Sequence, residues 1–130
     1  MNIFTGVINI MSHIVEIQTE VRDQAAVKAA CKRLHLPEPK NETVKLFQKE
    51  ATGLAVRLRN WQFPVVCQLK SGRLQYDNYG GRWGKEEELG HFLQAYAVEA
   101  TKIEARRKGH TVTEQKIDGG AIRLVVNVGA

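Results

Sequence analysis

The stretch from Glu86 to Arg107 constrains the fold more than any other part of the chain. Leu89, Phe92, Leu93, Tyr96, Ala100 and Ile103 recur at spacings of three and four, with Ala97 beside them. That spacing gathers one apolar stripe on a helix of about five to six turns. A striped helix needs a flat apolar surface to lie on. Segments with period-two alternation supply it, among them Gly53 to Leu58, Val65 to Tyr76 and Ala121 to Val128. The expected class is therefore α+β: two helices, the second long, packed on a mostly antiparallel sheet.

Taken in order, the first ten residues read as an extension or frayed tail, and Met11 offers a second possible start of translation. A single domain is expected over residues 11–130. Its first strand begins near His13, because Val15, Ile17, Thr19 and Val21 alternate with Glu16, Gln18 and Glu20. Asp23 is placed to cap a helix carrying Val27, Ala30, Cys31 and Leu34, which Pro37 and Pro39 terminate. Strands are expected over Thr43 to Gln48 and Leu54 to Arg59, with Lys49 to Gly53 as the loop between them. Pro64 cannot donate to a ladder and marks a strand start or an edge. Val65 to Leu69 and Leu74 to Tyr76 form a hairpin about Lys70-Ser71-Gly72-Arg73, with Gly72 at positive φ. After the long helix, Gly109 reads as its C′ residue. Thr111 to Lys116 and Ala121 to Val128 then form a closing hairpin, with Ile122, Leu124, Val126 and Val128 on one face and Arg123 on the other. The resulting order is β-α-β-β-β-β-α-β-β.

A chain of 130 residues buries enough surface to fold without disulfides. Its two cysteines, Cys31 and Cys67, fall on apolar positions and read as reduced, buried thiols. The N-terminus has neither a basic leader nor a small-residue cleavage site. No apolar run approaches the length of about 18 residues that a membrane span requires. A cytoplasmic protein is the expectation.

The net charge of +5 and a pI near 9.4 invite a nucleic-acid reading. Its most plausible seat is a basic sheet surface of Arg57, Arg59, Lys70, Arg73 and Arg123. Arg57 and Arg59 share one face of their expected strand, while Lys70 and Arg73 bracket a turn. The remaining cations sit on the two helices, where the last turn of the long one favours them through the helix dipole. No helix-turn-helix, zinc-finger spacing or aromatic-basic repeat accompanies them, so any such binding would be weak.

The chemically densest stretch is YDNYGGRWG, Tyr76 to Gly84. It contains neither GxGxxG nor GxxxxGK[ST], so it is no phosphate cradle. Its plain reading is a glycine turn with Trp83 packed against the start of the long helix. Its functional reading is an interaction surface made by Asp77, Tyr79, Arg82 and Trp83, since an aromatic pair beside an arginine is a common binding hot spot. A small-ligand pocket or an enzyme site at the same turn is a further alternative. Glu86, Glu87 and Glu88 open the long helix, where the dipole accounts for them. His13, His35, His91 and His110 form no HxxxH pair, and Ser12 and Ser71 lie in no nucleophile elbow. No catalytic, cofactor-binding or metal-binding residue is assigned. The leading expectation is a non-catalytic accessory protein acting through protein contacts.

Met11-Ser12-His13, Tyr96-Ala97, Gly109 with Val112, Glu114-Gln115, Gly119-Gly120 and Ile122-Arg123-Leu124 stand in an order that resembles an uncharacterised small-protein family. That family occurs in cyanobacteria, other bacteria and algal plastid genomes. The resemblance covers Met11 to Val128 and departs from the family around the central hairpin, where members are richer in Trp and Gln. Members sometimes lie near genes for AAA-type ATPases. The resemblance thus implies a cytoplasmic accessory role with such an ATPase as partner.

Overall fold

A computed structural model describes residues 20–47 and 49–128. The N-terminal extension and the strand expected from His13, up to Thr19, lie outside the described residues. The fold is α+β, with two helices and antiparallel sheets.

The first helix, α1, spans Gln24–Arg33. Asp23 caps it, its Oδ1 accepting from the backbone N–H of Ala25 at 2.9 Å and of Ala26 at 3.3 Å. These bonds satisfy amides that the first turn would otherwise leave without an acceptor. Ala26, Val27, Ala30 and Cys31 form its buried side. At the other end Leu36 N–H donates to Cys31 O and His35 N–H to Lys32 O, the paired bonds of a Schellman closure. His35 occupies the left-handed position that glycine normally fills, with a φ of 58°.

Four strands follow: β1 (Lys40–Lys45), β2 (Glu50–Val56), β3 (Val65–Gln68) and β4 (Arg73–Gln75). They form a meander in which every strand pairs antiparallel with its sequence neighbour, in the order β1-β2-β3-β4. β2 starts earlier than its alternation suggests, because Gly53 belongs to the ladder rather than to a loop. A Cβ at Gly53 would stand 2.7 Å from the Cys67 carbonyl oxygen, so glycine permits β2 and β3 to meet there. The β3–β4 hairpin forms about Gly72, at a φ of 77°. The chain entering α1 docks on this turn: Val21 N–H donates to Gly72 O at 3.0 Å, and the Arg22 guanidinium reaches the carbonyls of Lys70 and Ser71.

Alternation gives this sheet two apolar faces. Leu54, Val56, Val65 and Cys67 meet α1 and the long helix α2, Glu86–Arg107. Ala51, Ala55, Val66 and Val44 lie on the reverse face with Leu46, and Phe63 packs against them. Leu89, Phe92, Leu93 and Tyr96 of α2 are buried in the larger cluster. Each such side chain contributes about 1.5–3 kcal/mol by leaving water. Tyr96 also fixes the entry to α1, its hydroxyl oxygen accepting from Arg22 N–H at 3.0 Å and Asp23 N–H at 3.1 Å. Glu86, Glu87 and Glu88 occupy the first turn of α2, and a Schellman closure ends it at Gly109.

The closing hairpin, β5 (Thr111–Lys116) and β6 (Ile122–Asn127), is a separate two-stranded sheet rather than a continuation of the first. Ile122 is buried and Leu124 half-buried, but Val126 and Val128 run out into solvent. What joins the hairpin to the body is largely polar. Arg33 of α1, Glu99 and Lys102 of α2 and Glu114 of β5 form one ion-pair network, and Gln94 donates to Gly120 O at 3.0 Å. No helix among the described residues is long and apolar enough to cross a membrane.

Candidate interaction surface around Trp83

The loop between β4 and α2 is organised by Asn78, a buried polar residue whose every bond is internal. Its backbone carbonyl accepts from Gly81 N–H and Trp83 N–H, both at 2.9 Å. Its side-chain amide donates to Gly84 O at 3.2 Å and to Glu86 Oε1 at 2.8 Å, tying the loop to the first turn of α2. Asp77 Oδ1 accepts from Tyr79 N–H at 3.2 Å. Tyr79 is held at a φ of 48°, a conformation that disfavours non-glycine residues by about 1–2 kcal/mol. The two glycines that follow complete the reversal, and Trp83 O accepts from Gln62 N–H at 2.8 Å.

The result is an aromatic cluster with Trp83 at its centre. Tyr79 stacks on Trp83 with ring centroids 4.7 Å apart and planes at 23°. Phe47, from the β1–β2 loop, tilts against it at 5.0 Å, and Phe63 meets it edge-on at 5.6 Å. The Arg82 guanidinium lies 5.3 Å from the Tyr79 centroid, within range of a cation–π contact. Phe47 is 56% exposed and Tyr79 55%, while Phe63 packs on the reverse-face core. The cluster is therefore rooted in the sheet and open to solvent at its rim.

Trp61 packs at the start of α2, the place the sequence suggests for Trp83. The Trp61 indole Nε1 donates to Lys85 O at 3.1 Å, and its ring lies where a Cβ on Gly84 would fall, 2.3 Å from Cδ2. Tyr76 meets Trp61 edge-on at 5.7 Å. Burial, with a lesser contribution from Glu86, raises the Tyr76 hydroxyl above its ordinary range.

Charged side chains of both signs flank the loop. Lys45, Lys49, Arg82 and Lys85 are exposed, and none belongs to an ion pair among the described residues. Asp77 and Glu86 accept hydrogen bonds from within the loop and keep their negative charge, and Glu50 stands across from Lys45 in the ladder.

Asp77, Tyr79, Arg82 and Trp83 thus come together. Phe47 and Phe63 join them and were not singled out from sequence, where each is an isolated aromatic in a different segment. The five basic residues do not gather in the same way. Arg57 and Arg59 lie beyond the end of β2; Arg57 pairs with Glu42 at 2.9 Å, lowering that carboxyl's pKa, while Arg59 donates to Leu34 O at 3.1 Å. Lys70 and Arg73 stand at the β3–β4 turn, and Arg123 belongs to the other sheet.

The two cysteines, Cys31 and Cys67, are buried in the larger core cluster. Burial pushes the Cys67 thiol up to about 12 and the Cys31 thiol up to about 11, so both stay protonated at neutral pH. No group of three or more His, Cys, Asp or Glu side chains suited to a metal ion occurs among the described residues. Comparison with protein-family models, with curated proteins and with solved structures returned no match.

Proposed function

We propose that this chain is a non-catalytic accessory protein that acts through protein contacts, with the Phe47–Tyr79–Trp83 surface as its contact site. One observation carries the reading: two aromatic rings more than half exposed, anchored on a tryptophan with the Arg82 guanidinium beside them. Tyrosine, tryptophan and arginine are the residue types in which binding energy concentrates at protein interfaces. The strained backbone of Tyr79 supports the same reading, because strain of this kind collects at ligand-contacting segments. The two buried, protonated thiols suit a reducing compartment such as the cytoplasm. An AAA-type ATPase is the first partner to try.

The test is chemical crosslinking and affinity capture with the full chain and with a Phe47→Ser/Tyr79→Ser variant, first shown to melt within a few degrees of the parent. Loss of the captured partner in the variant supports the reading. Unchanged capture removes this surface from consideration.

A further inference from the structure

We infer that Asp118 is a site of spontaneous backbone modification, where the side chain closes onto the Gly119 nitrogen and reopens as isoaspartate, and that this change loosens the closing hairpin. The inference stands apart from the contact role proposed above.

The sequence narrows the choice first. The chain has three aspartates, Asp23, Asp77 and Asp118, and no asparagine that precedes a glycine. Only Asp118 has glycine after it, and a second glycine follows. The reaction requires the nitrogen of the next residue to reach the side-chain carboxyl carbon, and a side chain on that residue hinders the approach. Gln24 and Asn78 stand in that position after Asp23 and Asp77. Gly119 leaves it open.

The structure separates the three carboxylates in the same direction. Asp23 Oδ1 accepts from the amides of Ala25 and Ala26, and Asp77 Oδ1 accepts from that of Tyr79, so cyclisation at either would first break those bonds. No hydrogen bond or ion pair engages the Asp118 carboxylate among the described residues. Ile117, Asp118, Gly119 and Gly120 are all exposed in the turn between β5 and β6, which leaves room for the ring and admits the water that reopens it.

The step conserves atoms. The Gly119 nitrogen bonds to Asp118 Cγ, and one water leaves, built from the amide proton and the protonated carboxyl oxygen, to close a succinimide. Water then opens the ring. Attack at Cγ restores aspartate, whereas attack at the main-chain carbonyl frees an α-carboxylate and routes the chain through Cβ and Cγ. The isoaspartyl chain has the same mass.

The rerouted main chain is one carbon longer where the hairpin is fastened. Ile117 N–H donates across the turn to Ala121 O at 3.0 Å, and Gln94 Nε2 of α2 donates to Gly120 O at 3.0 Å. Both acceptors follow directly on the inserted carbon. The geometry that serves them is that of the α-linked turn, with Gly119 and Gly120 at φ of 85° and 84°.

The experiment keeps the full chain in warm neutral buffer for several weeks and marks the product with an isoaspartyl carboxyl methyltransferase and a tritiated methyl donor. Trypsin then releases the fragment Ile117–Arg123. This fragment should carry about tenfold or more the label found at Asp23 or Asp77, and it should gain label at a rate within about tenfold of a free peptide of the same sequence, since an exposed turn opens at little cost. Asp118→Glu, which would have to close a larger ring, should stay unlabelled. In the modified fraction the Ile117 amide should exchange about three- to tenfold faster, and the Gln94 side-chain signals should move in nitrogen-15 NMR while the β1–β4 amides hold. Absence of label from this fragment, equal labelling at Asp23 or Asp77, or label that persists in Asp118→Glu would each overturn the site. Label at Asp118 with the Ile117 and Gln94 signals unchanged would overturn the loosening.

Discussion

The Arg33 guanidinium at the end of α1 forks onto both carboxylate oxygens of Glu114 on β5, across 81 residues of sequence. Lys102 reaches the same carboxylate from α2, so one side chain is held by two helices. The Arg33 hydrogen bonds are the largest cause, and with Lys102 they outweigh desolvation and hold the Glu114 carboxyl down at about 2. Its folded pKa lies below its unfolded one. The stabilisation is therefore complete above the ordinary glutamate value of 4.5 and is lost as pH falls from there toward about 2. Urea midpoints measured across this window should fall steeply in the parent and more shallowly in Glu114→Gln. At neutral pH the variant should be less stable by about 1.5–3 kcal/mol, the range for a hydrogen bond to a charged group.

Tyr96→Phe tests the joint between α2 and the start of α1. The substitution keeps the ring and removes the oxygen that accepts from the Arg22 and Asp23 amides. Amides left without an acceptor in a partly buried site cost about 1–3 kcal/mol. Chemical denaturation should show a loss in that range. Hydrogen exchange should show faster opening of the first turn of α1 with the four-stranded sheet unchanged.

Gly84→Ala tests close packing rather than backbone freedom. A methyl group there would lie 2.3 Å from the Trp61 ring, which must move and give up its bond to Lys85 O. A loss of about 1–3 kcal/mol is expected, as for other overpacked sites. The Trp61 indole resonance should move while Trp83 keeps its place.

His35→Gly should do the reverse. His35 sits at the left-handed closing position of α1, where a side chain is disfavoured by about 1–2 kcal/mol. Part of that gain is offset by the greater freedom of glycine in the unfolded chain. A net stabilisation of about 0.5–1 kcal/mol should appear as a higher melting temperature.

Local signals made much of the fold legible in the sequence. The 3.6-residue stripe gave α2 its bounds, Asp23 marked the start of α1, and Gly72 and Gly109 marked a turn and a helix end. Each of these depends on residues near one another in the chain. Gly53 misled because an isolated glycine reads as a loop, whereas here it serves a contact with Cys67, 14 positions later in the ladder partner β3. The candidate site was half legible for the same reason. Tyr79, Arg82 and Trp83 are neighbours in sequence, but Phe47 and Phe63 reach Trp83 only once the β1–β2 loop and the segment before β3 have folded around it. The place of Trp61 at the start of α2 is likewise tertiary, set by how its ring fits over Gly84.

The pairing of α1 with α2 has a consequence during synthesis. Arg33 and Glu99, which link the two helices, are 66 residues apart, and a ribosome adding about 5–20 residues per second separates their emergence by several seconds. In that interval the β1–β4 meander, whose pairings all join consecutive strands, has its own partners within reach. The Ala26, Val27, Ala30 and Cys31 side of α1 can settle on that sheet, but its contacts with α2 must wait. A nascent chain of this protein therefore holds α1 against the sheet with one flank still open, and whatever shelters growing chains at the tunnel exit acts before α2 closes over it.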